Sequence, residues 1–525
     1  MTSTELAALM ESQVPHAVLD IRERGAYERG HIFRATSLPR RLLEVRLSAL
    51  VPAPGTPIAV YDDDGRLADL ARATLESMGY GDVRVLAGGL ADWRAAGRPI
   101  VQGVNVPSKV FGEQVLHTLK TPQVLARELD ARIRAGADLV IVDARTPEEY
   151  ARGCVPGAIN VPGGELVLRI GDLAPRPDTT IVVHCGGRTR SYLGAESLRR
   201  MGLPNPVVAL ENGTMGWTLA GLELERGASR WAPPVSEQSR AAATAVANRV
   251  AAEDGIRFIA PDELRGLWER RAQENVYLLD VRTSEEYAAG HIRGAVWAPG
   301  GQVVQATDEY VAVRAATIVL ACDGLVRSVL AASWLRRMGF GRVMALAGGI
   351  AAWQRAGGAI ESGHPPSVPA GWEAARAVAP AVRPGRLDAK IILNVDTSDV
   401  YAREHVPGAA WLCRSRLELR IGEASPDRHA SLLVTCADGV QSTLAVATLR
   451  GLGYTGARVL EGGTRAWAAA GLAVERGATR LLDEPDDVVL KAYDRGREGM
   501  EAYLRWEEAL DTAGRSPHAL LPRRS

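Results

Sequence analysis

The sequence predicts an α/β protein of four successive small domains, each a mainly parallel sheet flanked by helices on both faces, followed by a C-terminal helical tail. Three observations lead there. One block pattern occurs four times in order along the 525 residues. Its closing tryptophans, Trp93, Trp217, Trp353 and Trp467, lie 124, 136 and 114 residues apart, too far for a solenoid unit and far enough for a domain. Within each block, short apolar strands alternate with helix-patterned segments, as a parallel sheet covered on both faces requires.

Each block opens on an apolar strand ending in an acid, at Asp20, Asp143, Asp280 and Asp396. In the first three an arginine follows two residues later (Arg22, Arg145, Arg282), where the fourth has Ser398. The Asp and Arg recur in the first block, which has no thiol at its later loop, and so read as a fold-holding pair. A tyrosine-led helix end and a turn come next: Gly30-His31-Ile32, Gly153-Cys154-Val155, Gly290-His291-Ile292 and Glu404-His405-Val406. Each block closes on Gly88-Gly89, Asn212-Gly213, Gly348-Gly349 or Gly462-Gly463, and then the tryptophan, which reads as a core anchor. Between blocks, Trp231-Ala232-Pro233-Pro234 breaks away into an alanine-rich helical stretch to about Glu253. Gly363-His364-Pro365-Pro366 is a stiff extended connector. Blocks two and four share Glu225-Arg226-Gly227 and Glu475-Arg476-Gly477, which suggests a duplicated two-block unit, (1+2)(3+4).

The run that carries chemistry is Cys185-Gly186-Gly187-Arg188-Thr189-Arg190-Ser191, set between the apolar Ile181-Val182-Val183 and a helix-patterned segment. Reactive groups collect at the carboxyl ends of strands in such sheets. A short glycine-containing loop entering a helix turns backbone N–H groups inward and favours negative charge, so a thiolate is favoured at Cys185. The equivalent positions are Asp62, Cys322 and Cys436. The Asp62 loop is acidic and thiol-free. The Cys322 loop keeps Arg327 but sets Asp323 beside the sulfur, and the Cys436 loop has Gln441 for the arginine and Asp438 nearby; both acids oppose a thiolate. Cys185 is therefore the candidate nucleophile, with Gly186, Gly187, Arg188, Thr189 and Arg190 as its substrate-binding loop and Cys322 and Cys436 as secondary candidates. A free cysteine at a strand end is commonly a small buried hydrophobe; two glycines and two guanidiniums around this one favour chemistry. His184 adjoins the thiol but belongs to the opposite strand face. Cys154 replaces a histidine found in the other blocks and reads as a packing residue before a resolving thiol.

The Asp-x-Arg strand end, the Gly-His-Ile turn, the Cys loop with its Arg-Ser and the Gly-Gly and Trp close together resemble the rhodanese homology domain. The fourfold array resembles rhodanese-related sulfurtransferases that carry four such domains on one chain. The resemblance places repeats at 1–104 (no catalytic cysteine), 118–230 (the best site), 256–362 and 373–480, with a helical tail at 481–525. It implies a thiosulfate sulfurtransferase-like enzyme. The Cys185 thiolate would take the sulfane sulfur of a small anionic donor such as thiosulfate, hold it as a persulfide, and pass it to cyanide, a thiol or a protein cysteine. Four residues separate Cys185 from Arg190, one fewer than in tyrosine phosphatases and arsenate reductases, and the smaller ring suits a persulfide sulfur. The alternative is a non-catalytic scaffold of four rhodanese folds, or a sulfur-relay module, as the three degraded loops would allow.

Composition bounds the partners. Lys plus Arg equals Asp plus Glu at 62 each, so no global basic field invites nucleic acid. No run approaches the roughly 18 apolar residues that span a bilayer, and the N-terminus lacks a secretory pattern, so no membrane and a cytoplasmic address are expected. Five cysteines without a pairing pattern argue against disulfides. No Cys/His cluster suggests a metal, and no cofactor is expected.

Overall fold

The computed structural model describes residues 1–385 and 388–510; of the expected tail, 511–525 lie outside the described residues. The chain forms two compact units. One comprises Met1–Ser12, His16–Val104 and Pro366–Val489, which hold repeats 1 and 4; the other comprises Gln13–Pro15, Asn105–Pro365 and the described residues 490–510, which hold repeats 2 and 3. Blocks two and four, akin in sequence, thus belong to different units. Among the described residues no helix is long and apolar enough to cross a membrane.

In the unit of repeats 2 and 3, each repeat contains one parallel five-stranded sheet. Repeat 2 runs Gln123–Val124, Val207–Leu210, Thr180–His184, Leu139–Asp143, Ile159–Asn160 from edge to edge. Repeat 3 runs Arg257–Ile259, Val343–Leu346, Thr317–Ala321, Val276–Asp280, Val296–Trp297. The central strands Thr180–His184 and Thr317–Ala321 are buried along their whole length, which explains their continuous β-branched and apolar character. The alanine-rich stretch forms the helix Glu237–Glu253, opened by Ser236, whose hydroxyl accepts from the Ser239 N–H. Repeats 2 and 3 meet closely enough at Gly164 that a Cβ there would lie 3.1 Å from the Gly300 Cα.

In the unit of repeats 1 and 4, repeat 4 keeps the same strand order: Ala381–Val382, Ala457–Leu460, Leu432–Thr435, Ile391–Asn394, Ala410–Trp411. Repeat 1 has the equivalent parallel series Thr36–Ser37, His16–Asp20, Ile58–Tyr61, Val83–Val85.

The recurrent motifs acquire mechanical roles. Arg145 holds Asp143 at 2.5 Å and the Gly153 carbonyl at 2.6 Å. Arg22 and Arg282 repeat this on Asp20 with Gly30 and on Asp280 with Gly290. The pair ties each strand end to the following turn. Repeat 4 corrects the sequence reading: Asn394, not Asp396, occupies the strand-end position, because Asn394 pairs with Thr435 as Asp143 pairs with His184. Asp396 thus falls where Arg145 stands in repeat 2. The four tryptophans are buried, and each indole N–H donates to a carbonyl six residues on, as Trp217 does to Glu223 at 2.9 Å.

Candidate active site

The strand Thr180–His184 delivers Cys185 to the carboxyl edge of the repeat 2 sheet, and the helix Thr189–Arg199 begins four residues later. The closing turn holds the loop in place. Thr214 N–H donates to the Cys185 carbonyl at 2.8 Å and Met215 N–H to the Gly186 carbonyl at 3.1 Å. Gly213 has φ +52°, and a Cβ there would sit 2.3 Å from the Cys185 carbonyl oxygen, so this position admits only glycine. The equivalent helix starts bond the carbonyls of Asp62, Cys322 and Cys436. The second glycine of the motif is therefore part of the loop's support, a role that sequence reasoning left as a turn.

Cys185 is 2 % exposed. Its Sγ receives the Ser191 hydroxyl at 3.1 Å. A serine stands at the same place in two other repeats: the Cys322 thiol donates to Ser328 at 3.3 Å, and Cys436 and Ser442 are 3.4 Å apart. The thiol-free repeat 1 has Ala68 at that place, a signal in the sequence that would have identified the serine.

The loop amides show what the loop is built to hold. Among the described residues, none accepts a hydrogen bond from the backbone N–H of Gly186, Gly187, Arg188, Thr189 or Arg190. In repeat 1 the Asp62 carboxylate fills the equivalent cradle, accepting from the N–H groups of Leu67 at 2.7 Å, Ala68 at 3.3 Å and Gly65. In repeat 4 the Cys436 sulfur does so, accepting from Gly439 at 3.2 Å and Ser442 at 3.4 Å. Buried N–H groups without acceptors are rare. The repeat 2 loop thus sets these N–H groups beside a thiol that accepts from none of them.

Both arginines of the loop are committed to carboxylates, which the acid-free loop sequence did not foretell. Arg190 makes two bonds to Glu149, at 2.6 and 2.9 Å. Burial works to raise the Glu149 carboxyl, but Arg190 prevails and holds it down to about 2. Arg188 makes two bonds to Glu113, at 2.7 and 2.8 Å, and also meets Asn212 at 2.7 Å and Glu508 at 3.0 Å. Glu113 responds in the opposite sense: burial, with Glu507 and Glu508 nearby, pushes it up to about 7 despite Arg188. Glu113 lies on the helix Val106–Leu119, a segment the sequence reading assigned to no repeat. Pro107 near its start and the apolar Val110, Phe111, Val115 and Leu116 marked it.

The remaining candidates fall outside this constellation. His184 is fully buried with Nε2 3.6 Å from Asp143, and burial lowers its pKa. Cys154 belongs to the repeat 2 core, and burial, with Asp143 and Glu225 beyond it, pushes its thiol up to about 11. Burial raises Cys322 as well, opposed by Ser328 and reinforced by Asp323, which pairs with Arg327 at 2.8 Å. Cys436 is raised by burial and by Asp396, itself pushed up to about 6 by burial. A cleft of about 820 Å³ runs between repeats 2 and 3, walled by Arg145, Glu149 and Arg190 on one side and by Arg282, Thr283 and Gly300 on the other. It reaches the loop at Arg190, and Cys185 is not on its wall.

Comparison with known proteins accords with this architecture. The model of the family described as rhodanese-like domain matches four times, at residues 2–96, 125–220, 263–356 and 383–470. A crystal structure described as thiosulfate sulfurtransferase from Pseudomonas aeruginosa is similar over 97 % of this chain and 96 % of its own, with 40 % identity and a TM-score of 0.90. A Mycobacterium tuberculosis protein named "Putative thiosulfate sulfurtransferase SseB" is 33 % identical over 239 residues, which span 37 % of this chain and 83 % of that protein. A protein of Allochromatium vinosum named sulfurtransferase is 29 % identical over 102 residues, 19 % of this chain and 92 % of its own length.

Proposed function

We propose, from the fact that this chain belongs to the rhodanese-like domain family, that it moves sulfane sulfur from an anionic donor to a thiophilic acceptor through a persulfide on Cys185. The Cys185 thiolate attacks the outer sulfur of thiosulfate. The new Cys–S–S bond forms as the bond between the two donor sulfurs breaks, and sulfite leaves with that electron pair. Cyanide then attacks the outer sulfur of the persulfide and departs as thiocyanate, restoring the thiolate; a thiol acceptor would leave as its own persulfide. This is covalent catalysis in two displacements.

The observation that carries this reading is that the amides from Gly186 to Arg190 have no acceptor among the described residues. A persulfide's outer sulfur extends beyond Sγ and carries the charge, so it suits donors that the thiol leaves unused. Repeats 1 and 4 supply internal controls, since Asp62 and Cys436 each satisfy their own ring. In repeat 2, unlike these two, neither Cys185 nor another side chain of the loop accepts from the loop amides. Arg190, paired with Glu149, stands where the loop meets the cleft.

The decisive experiment incubates the full chain with thiosulfate and measures intact and peptide masses. Wild type should gain one sulfur atom on the peptide containing Cys185, and Cys185→Ser should gain none there. Absence of added sulfur at Cys185 with thiosulfate and with other small sulfane donors would favour the scaffold reading, which the near-complete burial of Cys185 keeps physically concrete.

A further inference from the structure

The C-terminal helix Gly496–Ala509 lies over the Cys185 loop, within the unit of repeats 2 and 3. A Cβ placed on Gly187 would lie 3.4 Å from both the Glu507 carboxylate and the Tyr503 ring. Glu507 is 1 % exposed. One of its oxygens accepts the Thr189 hydroxyl at 2.9 Å, and the Tyr503 phenol, held protonated by burial and by Glu507, stands beside the carboxylate. Glu508 meets Arg188 at 3.0 Å.

Across from this carboxylate stands Lys109, on the helix Val106–Leu119 and 5 % exposed. Among the described residues its ammonium makes no hydrogen bond. It lies over the rings of Tyr503 and Trp506, at 5.3 and 5.9 Å. The charged or ionisable groups that act on it are Glu507, Arg190, Cys185 and Asp308.

The place therefore holds a largely buried lysine that makes no hydrogen bond among the described residues, a hydroxyl bonded to Glu507, and loop amides without acceptors. Of the carboxylates here, Glu507 is the one that bonds the loop's own hydroxyl, Thr189. Burying such groups incompletely matched is costly. A tetrahedral oxyanion has oxygens enough to reach several of these donors at once, which a planar carboxylate fixed to a helix has not.

We propose that Lys109 and Thr189, beside the Gly186–Arg190 amides, form an oxyanion subsite for the sulfonate end of the sulfur donor, and that Glu507 is an intramolecular occupant the donor displaces. The subsite's assignment to a sulfur donor rests on the persulfide reading of Cys185, whereas its affinity for an oxyanion does not. Lys109 is a specificity-determining residue in this scheme, and the C-terminal helix is the subsite's removable wall.

The test uses the full chain and needs no turnover. Alkylation of Cys185 by iodoacetamide is followed by peptide mass, with Cys322 and Cys436 as internal measures of folding, and sulfate serves as an unreactive oxyanion probe. Glu507→Gln removes the competing charge, so Cys185 should be alkylated about tenfold faster than in wild type, the scale of one charge-assisted hydrogen bond. Sulfate should protect Cys185 in E507Q and weakly in wild type. Adding Lys109→Gln to E507Q should weaken that protection about tenfold, and Lys109→Arg in its place should retain it. Equal alkylation rates in wild type and E507Q, or full sulfate protection after loss of Lys109, would overturn the proposal. If sulfate protects as expected yet thiosulfate never loads sulfur on Cys185, the subsite stands and the persulfide reading falls.

Discussion

Two buried arginine–glutamate pairs flank Cys185, chemically alike and opposite in their response to pH, and a pair of glutamate-to-glutamine substitutions separates them. Glu149 sits at about 2 in the folded chain against an ordinary 4.5, with Arg190 and Glu149 side chains 12 % and 17 % exposed. Its stabilisation is fully present above pH 4.5 and is lost as pH falls toward 2; the displacement corresponds to roughly 3 kcal/mol. Glu113 sits at about 7 with its side chain wholly buried. The folded chain keeps a proton that the unfolded chain releases near 4.5, so stability declines as pH rises from 4.5 through 7, again by roughly 3 kcal/mol. Glu149→Gln should therefore destabilise the unit of repeats 2 and 3 by roughly 3 kcal/mol at neutral pH, with the difference from wild type closing as the medium approaches pH 2. Glu113→Gln should gain on wild type by a similar amount between pH 4.5 and 8. Urea unfolding followed by circular dichroism at a series of pH values reads both differences. If the two variants shift in the same direction with pH, or if E113Q loses ground to wild type as pH rises, the electrostatic assignment of this site is refuted.

Three further substitutions probe the loop and its support. Gly213→Ala would drive a methyl group into the Cys185 carbonyl from a left-handed backbone position; it should destabilise the repeat by about 2 kcal/mol or more and abolish sulfur loading at Cys185, as thermal unfolding and peptide mass would show. Ser191→Ala removes the hydroxyl that contacts Sγ and should slow alkylation of Cys185 several-fold, about the scale of one neutral hydrogen bond, leaving Cys322 and Cys436 unchanged. Asp62→Ala leaves the N–H groups of Gly65, Leu67 and Ala68 without their carboxylate and should cost repeat 1 about 2 kcal/mol; an unfolding curve identical to wild type would mean that the cradle is not what Asp62 satisfies.

What the sequence disclosed follows from range. The fourfold repeat, the strand–helix alternation and the position of Cys185 are local patterns, and each is written within a few residues. The register of repeat 4 was misread because Val395 continues the apolar run past the strand end, so that Asp396 passes for the strand-end acid; only pairing with Leu432–Thr435 assigns that place to Asn394. Ser191 was within reach, since Ser328 and Ser442 recur where repeat 1 has Ala68. The acids that engage Arg188 were not, because Glu113 is 75 residues away and Glu508 is 320. No local pattern marks a carboxylate that folding brings from such distances. The tail, charged and helix-forming in sequence, gained its meaning only when the helix Gly496–Ala509 was seen against this loop.

The four loops form a graded series around one backbone device. In repeats 1 and 4 the loop N–H groups converge on one group, and the four repeats differ in what stands at that place. In repeat 1 it is a carboxylate of the loop itself, which satisfies the donors permanently and leaves no group to react. In repeat 4 it is a sulfur already bonded to the ring, beside an acid at the place where repeat 2 has arginine. In repeat 3 an acid next to the sulfur is drawn onto the loop's own arginine. In repeat 2 the sulfur accepts from none of the loop N–H groups, the loop's arginines are held back by Glu113 and Glu149, and the nearest outside anion is borne by a terminal helix. In the proposed reading, repeat 2 leaves to a persulfide the donors that repeats 1 and 4 satisfy internally. That difference sets Cys185 apart from Cys436 in the proposed reading, whereas Cys322 is set apart by the acid beside its sulfur.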